Sequence, residues 1–193
     1  MNARLARLAG GAALVLLVFM TSAHADLNLF GAYHNNVARA AALNDANEVR
    51  QLLSAGNNPN NDVDESGRTG LHIAAINGNL QIAAILIKAK VKLDVTDPLG
   101  NTPLFYAAER NQVEMAQLLL DVGAEVDKQN KNGMTSLMVA ASRGNIGVVQ
   151  ALLAKGANPR KADFTGRDAV GWAADSHRPA VIQALERAAI AKR

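Results

Sequence analysis

Gly67-Arg68-Thr69-Gly70-Leu71-His72-Ile73-Ala74-Ala75 is followed, one regular step along the chain, by Gly100-Asn101-Thr102-Pro103-Leu104-Phe105-Tyr106-Ala107-Ala108. The step recurs. Gly133 and Gly166 extend the glycine column, Thr135 and Asp168 the column of Thr69 and Thr102, and Leu137 and Val170 that of Leu71 and Leu104. Ala140-Ala141 and Ala173-Ala174 repeat the alanine pairs, and Leu86, Leu119, Leu152 and Leu185 follow in phase. So many columns at one fixed step identify an array of stacked units rather than a single enclosed core. Upstream, residues 36–59 form a weaker copy. There Ala40-Ala41, Val49, Leu52-Leu53, Gly56, Asn58 and Pro59 match Ala140-Ala141, Val149, Leu152-Leu153, Gly156, Asn158 and Pro159. The chain is thus read as five units, the first degenerate.

Each unit has a physical logic. Asp64, Asp97, Asn130 and Asp163 begin tight turns, because short Asx side chains bond the backbone amides just ahead. The glycine that follows in each turn supplies a positive φ at little steric cost. Thr69, Thr102, Thr135 and Asp168 are good N-caps for the helix that follows, and Pro103 sits just inside its start, where the missing N–H costs nothing. The alanine pairs let this short first helix approach its neighbours closely. A second helix carries Ile85-Leu86, Leu118-Leu119 and Leu152 at helical spacing, and Gly123 and Gly156 suit the left-handed residue that ends it. A unit as short as the step from Gly67 to Gly100 has too little core to stand alone, so stability comes from stacking. Ile73, Tyr106, Val139 and Trp172 share one column and are expected to pack in a row, with Trp172 filling core rather than stacking on a ligand.

The two opening stretches, together with Leu119-Leu120-Asp121-Val122-Gly123-Ala124 and Leu152-Leu153-Ala154-Lys155-Gly156-Ala157-Asn158, resemble the ankyrin-repeat signature over roughly residues 36–190. The resemblance implies an all-α fold with short β-turn hairpins, a solenoid of about five stacked helix-turn-helix units. The repeats fall near 36–63, 64–96, 97–129, 130–162 and 163–193. Departures are specific. Lys90 replaces the helix-ending glycine, at a cost of about 1 kcal/mol if it is left-handed. Only His72 keeps the signature histidine, with Phe105, Met138 and Gly171 in its place elsewhere. His177 and Asn111 replace the glycine found at Gly78 and Gly144. The last repeat is the least regular of the four clear ones, as befits an end cap, and its final helix, near Ala180–Lys192, carries Glu186, Arg187, Lys192 and Arg193 toward water.

The chain starts with an address. Within positions 1–25, Arg4 and Arg7 flank the entry to an uncharged, mainly apolar run from Leu8 to Met20, and Ala23-His24-Ala25 forms a small-x-small cleavage pattern. Spanning a bilayer takes about 20 apolar residues, more than this run supplies, so a signal peptide cut between Ala25 and Asp26 is expected. With no Cys to acylate, the product is expected to be exported, periplasmic or alternatively extracellular, and free of the membrane. Residues 26–35, with Leu27, Leu29, Phe30 and Tyr33, are assigned to an N-terminal cap over the first repeat.

Chemistry is sparse. The absence of cysteine excludes disulfides, thiolate metal sites and a cysteine nucleophile. No nucleophile elbow, phosphate loop or dinucleotide fingerprint occurs. Asp175-Ser176-His177 holds triad residue types, but sequence neighbours do not face one another as a relay requires. Asp62-x-Asp64-x-Ser66-Gly67 matches the first half of a calcium loop, yet Ile73 stands where its bidentate Glu belongs. His72 falls in the family's structural position. No catalytic residue, cofactor or metal is assigned, and a hydrolase grafted on the scaffold is the least favoured reading. The sequence pI of 9.4 suggests nucleic acid at first sight. Residues 26–127, however, carry 7 basic and 13 acidic side chains, and residues 128–193 carry 11 and 4. That is a dipolar array, either two solvated faces or a steering field for a partner, with no basic patch interleaved with aromatics. Nucleic acid is not expected.

The resemblance further implies a concave recognition surface made of turn tips and the exposed side of each first helix. The matching positions are Glu65, Ser66, Arg68, Ile76 and Asn77, then Leu99, Asn101, Glu109 and Arg110. Lys131, Asn132, Met134, Ser142 and Arg143 follow, and then Phe164, Thr165, Arg167, Asp175 and Ser176. Leu99, Met134 and Phe164 are apolar at tips that a purely solvated turn would leave polar, which suits a protein interface. A monomeric, non-enzymatic protein-binding module is therefore expected, acting in the periplasm or, alternatively, as a secreted effector on a host or competitor protein.

Overall fold

The computed structural model describes residues 36–191, so the leader and the cap segment 26–35 lie outside the described residues. The helices come in pairs. They are α1 (Val37–Ala42) with α2 (Ala46–Ser54), α3 (Gly70–Asn77) with α4 (Leu80–Lys88), and α5 (Pro103–Glu109) with α6 (Val113–Asp121). α7 (Ser136–Arg143) with α8 (Ile146–Ala154) and α9 (Ala169–Asp175) with α10 (Pro179–Ala191) complete the array. First helices contact first helices in unbroken succession, α1–α3–α5–α7–α9. The outer helices pair α2 with α4, α6 with α8 and α8 with α10, whereas α4 and α6 approach each other less closely. This is the all-α stacked array that the sequence period predicts. Val63 and Thr69 form an isolated β-bridge beside the first described turn.

The alanine pairs explain the close inner row. Ala74, Ala75, Ala107, Ala108, Ala140 and Ala141 are all fully buried, and one continuous core runs from Val37 to Leu185. A side chain no larger than a methyl lets neighbouring helix backbones come near enough to exclude water along their whole length. The N-caps form as the sequence predicts in three repeats: Thr102 Oγ1 accepts from Phe105 N–H at 3.2 Å, Thr135 Oγ1 from Met138 N–H at 3.3 Å, and Asp168 Oδ1 from Gly171 N–H at 2.9 Å.

At Thr69 the signature histidine takes over. Thr69 N–H donates to His72 Nδ1 at 3.1 Å, and His72 Nε2 lies 3.1 Å from the Asn101 carbonyl of the next repeat. A carbonyl only accepts, so Nε2 carries the proton and the ring is neutral. The histidine ties one turn to the next, a bond that Phe105 and Met138 have no atoms to copy. Burial pushes its pKa below the ordinary value, against the smaller opposing pull of the Asn101 carbonyl.

A second ladder runs along the helix–helix loops. Asn79 donates to Asn44, and Asn145 Nδ2 donates to the carbonyls of Ala108 at 2.8 Å and Glu109 at 3.3 Å. A third crosses the outer loops: Asn60 Oδ1 accepts from Lys92 N–H at 2.8 Å, Asp94 Oδ1 from Glu125 N–H at 3.1 Å and Asp127 from Asn158 N–H at 3.1 Å.

The column of Ile73, Tyr106, Val139 and Trp172 divides in two. Ile73 and Val139 are buried as expected, but Tyr106 and Trp172 are half-exposed. Their rings are longer than the gap the aliphatic members fill, and each carries a polar hydrogen that needs an acceptor. The Tyr106 hydroxyl donates to Asp97 Oδ2 at 2.6 Å and Trp172 Nε1 to Asp163 Oδ2 at 2.9 Å. Each aromatic therefore reaches the Asx residue that opens its own repeat. The last helix starts at Pro179, a residue earlier than expected, and is longer than any other outer helix.

Lys90 is left-handed, with φ 58°, in the place that Gly123 fills at φ 98°. A Cβ on Gly123 meets nothing within 4 Å, so backbone strain is the whole difference between the two sites. Lys90→Gly is expected to stabilise by about 0.5–1 kcal/mol, after the entropy a glycine gives the unfolded chain is subtracted, and Gly123→Lys to destabilise by a similar amount. Urea unfolding midpoints check both.

His72 gives a pH signature. Because the folded pKa is depressed, its contribution is complete above about pH 6.5 and is lost as pH falls below that, when the unfolded chain takes up the proton. His72→Phe should lose about 1–3 kcal/mol at neutral pH, with the Thr69 amide unpartnered and the Asn101 carbonyl left with the Asp97 amide alone. Its stability should also fall less between about pH 7 and 5 than that of the parent, as paired urea titrations would show.

Candidate functional site

Four turns stand one above another, and each is built by a single side chain. Asp64 Oδ1 accepts the amides of Ser66 and Arg68, both at 2.9 Å, and Asp97 Oδ1 those of Leu99 at 2.9 Å and Asn101 at 2.8 Å. Asn130 Oδ1 takes Asn132 and Met134, both at 2.9 Å, and Asp163 Oδ1 takes Thr165 at 2.8 Å and Arg167 at 3.0 Å. The backbone closes each hairpin, from Asp64 N–H to Arg68 O at 2.9 Å through to Asp163 N–H to Arg167 O at 2.8 Å. The donors shift the acids. Burial alone pushes the Asp97 carboxyl up, but the Tyr106 hydroxyl and the amides of Asn101 and Leu99 together outweigh it and hold the group below its ordinary value. Burial likewise opposes the shift at Asp64, which ends low through Arg68. Asp163 is lowered chiefly by the Thr165 hydroxyl, 2.6 Å away.

Successive turns also touch. Lys131 N–H donates to the Leu99 carbonyl at 3.1 Å and Phe164 N–H to the Asn132 carbonyl at 3.2 Å. The contact is close enough that a Cβ on Gly100 would sit 2.7 Å from Lys131 N, and one on Gly133 2.6 Å from Phe164 N. Pro98 occupies the equivalent position against Ser66 and has no N–H, so this ladder is broken between the first two turns.

Such rigid turns hold the predicted residues in different states. Glu65, Ser66, Asn77, Arg110, Lys131 and Asn132 are exposed, and so are Leu99 at 65 % and Phe164 at 73 %. Asn101 is a correction. It is only 6 % exposed, its Oδ1 accepts from Asn130 Nδ2 at 2.9 Å, and its carbonyl faces His72, so it binds repeat to repeat rather than a partner. Arg68 is half-buried and clasps Asp64 through Nε at 2.9 Å and Nη2 at 2.7 Å.

Ile76 and Met134 are half-buried against the core, which leaves Met134 a partial apolar face rather than a free tip. Along the helix ends, Arg143 Nη2 meets Glu109 Oε1 of the preceding repeat at 2.7 Å, and Ser142 Oγ lies 3.3 Å from Ser176 Oγ. Thr165 turns its hydroxyl inward to Asp163. Arg167 is exposed, with Nη1 2.6 Å from Asp175 Oδ2 and Cζ 4.5 Å from the Trp172 ring.

Trp172 packs partly buried against the core, as its column predicts, and its remaining face lines the surface beside Phe164, which the buried members of that column do not reveal. Its register with Tyr106 carried the signal, since two aromatics with polar hydrogens in one column have a common use. The half calcium loop is spent on structure: Asp62 Oδ2 accepts from Val37 N–H at 3.3 Å, and Asp64 is taken by Arg68. Among the described residues no group of three or more His, Asp or Glu side chains is placed to hold a metal, and no helix is long and apolar enough to cross a membrane.

The family model described as ankyrin repeats, in three copies, matches residues 37–130 and again 122–191. No curated protein matches the chain. Ankyrin repeats generally mediate protein–protein interaction and are typically non-enzymatic. With the family model covering the described helix pairs, on turns and caps repeated at its period, the chain belongs to the ankyrin-repeat family.

Proposed function

We propose that this protein is an exported, non-enzymatic module that binds another protein through its turn tips and the exposed ends of its first helices. The observation that carries the proposal is the pair Leu99 and Phe164, large apolar side chains left 65 % and 73 % exposed on turns held by both side-chain and backbone hydrogen bonds. An apolar side chain held rigidly in water loses little entropy when a partner covers it, which is the property of an interface anchor. Lys131 and Asn132, both exposed, lie beside Phe164 and give it a polar rim, the usual arrangement around such anchors. Support for export comes from Arg4 and Arg7, the apolar run Leu8 to Met20, and Ala23-His24-Ala25 ahead of Asp26.

Two measurements check this. In capture from an extract with cross-linking, Leu99→Arg combined with Phe164→Glu should lower retention of the bound protein at least about thirtyfold, a loss of two anchors near about 2 kcal/mol or more in total. Unfolding should stay within about 0.5 kcal/mol of the parent because both side chains are on the surface. Equal retention by the double variant removes the tip surface from the function. For location, the mature chain should begin at Asp26 and be released by osmotic shock. Recovery mainly from the medium would favour an effector acting outside the cell.

A further inference from the structure

Beside Phe164 the last two turns line an open recess of about 300 Å³. Its lining is apolar at Met134, Phe164 and the Trp172 indole and cationic at Lys131 and Arg167, whose guanidinium lies over the indole with Cζ 4.5 Å from the ring. Its walls are held in place. The Phe164 ring lies over Gly133, where an added Cβ would come within 2.7 Å of its Cδ1, and the Lys131 stem lies over Gly100, with Cγ 3.1 Å from such a Cβ. The recess has one acid of its own, Asp163, which is only 6 % exposed and saturated by the amides of Thr165 and Arg167, the Thr165 hydroxyl and the Trp172 indole N–H. Asp163 already accepts these four hydrogen bonds, and among the described residues no ion pair joins it to Lys131 or Arg167. Arg167 does pair with Asp175, but both side chains are about half exposed, and such a pair is worth little against a better-placed carboxylate.

We infer that this recess takes an apolar side chain from an acidic segment of a partner protein. The anchor lies against Met134, Phe164 and Trp172, and the flanking carboxylates meet Lys131 and Arg167. The inference rests on the protein-binding reading and adds the sign and side-chain chemistry of the partner. Charge complementarity selects this occupant. The recess belongs to the basic half of the sequence, where residues 128–193 carry 11 basic against 4 acidic side chains, a balance that favours acidic chains over basic ones.

Trp172 is the only tryptophan, so its emission reports on the recess directly. Three short synthetic peptides serve as probes: a leucine between glutamates, the same with lysines for glutamates, and the glutamate peptide with serine for leucine. The first should give a saturable change in Trp172 emission at an affinity at least about tenfold above either control, weakening as salt is added. Lys131→Glu should cost at least about tenfold in that affinity with the unfolding midpoint unchanged, because it sets like charges face to face.

Equal binding of the lysine peptide, no saturable change with any peptide, or indifference to Lys131→Glu each overturns the inference. So does self-association of the chain that Phe164→Glu abolishes, which would give the recess to a second copy. The broader reading is separable. A captured partner lost by Leu99→Arg with Phe164→Glu but kept by Lys131→Glu leaves protein binding standing and sinks only the acidic segment.

Discussion

A single side-chain oxygen at the head of each turn is what the rest of the array depends on. Asp64, Asp97, Asn130 and Asp163 each present Oδ1 to two amides just ahead, which fixes the hairpin, the entry to the first helix and the height of the tip together. Geometry matters here more than charge. Asn130 is neutral and makes the same two bonds, then uses its Nδ2 to reach Asn101 of the repeat before. The three acids hold their extra lone pairs with Arg68, Tyr106 and Trp172, so the unit resolves the same excess of acceptor in three ways. Burying the carboxylates without those donors would cost more than the turn returns.

Stacking follows from that fixed height. The inner helices are too short to be stable alone, so each becomes a helix only when its alanine face meets the next. Two ladders of side-chain-to-backbone bonds keep the separation constant, one through the helix–helix loops and one across the outer loops. The turn-to-turn backbone bonds begin only after Pro98. At that first step His72 makes its bond to the Asn101 carbonyl, so the repeat that lacks the backbone link is the one that keeps the signature histidine.

Columns made the fold legible. Glycines, alanine pairs and caps at one constant step define the helices and turns, because each column answers a local geometric need that any sequence must meet in the same way. The surface was legible only in part, for the opposite reason. Whether a residue at a tip is free depends on what the neighbouring repeat does with it. Asn101 reads as a tip residue and is spent between His72 and Asn130; Met134 leans on the core; Thr165 stays exposed but commits its hydroxyl to Asp163. Leu99 and Phe164 stayed where their column put them, since an apolar side chain on an outward-facing turn has no neighbour to bond. Trp172 shows the limit of register alone: it shares a column with buried Ile73 and Val139, yet ring length and an indole N–H draw it out to Asp163.

Charge asymmetry between the halves has a structural use before any functional one. The sign changes near residue 127, and the ion pairs that cross this boundary join acid upstream to base downstream. Asp121 meets Lys155 at 2.7 Å, Glu109 meets Arg143 at 2.7 Å, and Lys161 Nζ donates to the Asp127 carbonyl at 2.7 Å. Both ion pairs are open to solvent, so each contributes at most about 1 kcal/mol. Lys131 remains on the tip of the basic half, beside a recess wall made of methionine, phenylalanine and tryptophan. Pairing across the boundary spends Arg143 and Lys155, whereas the exposed Lys131 keeps its charge at the turn.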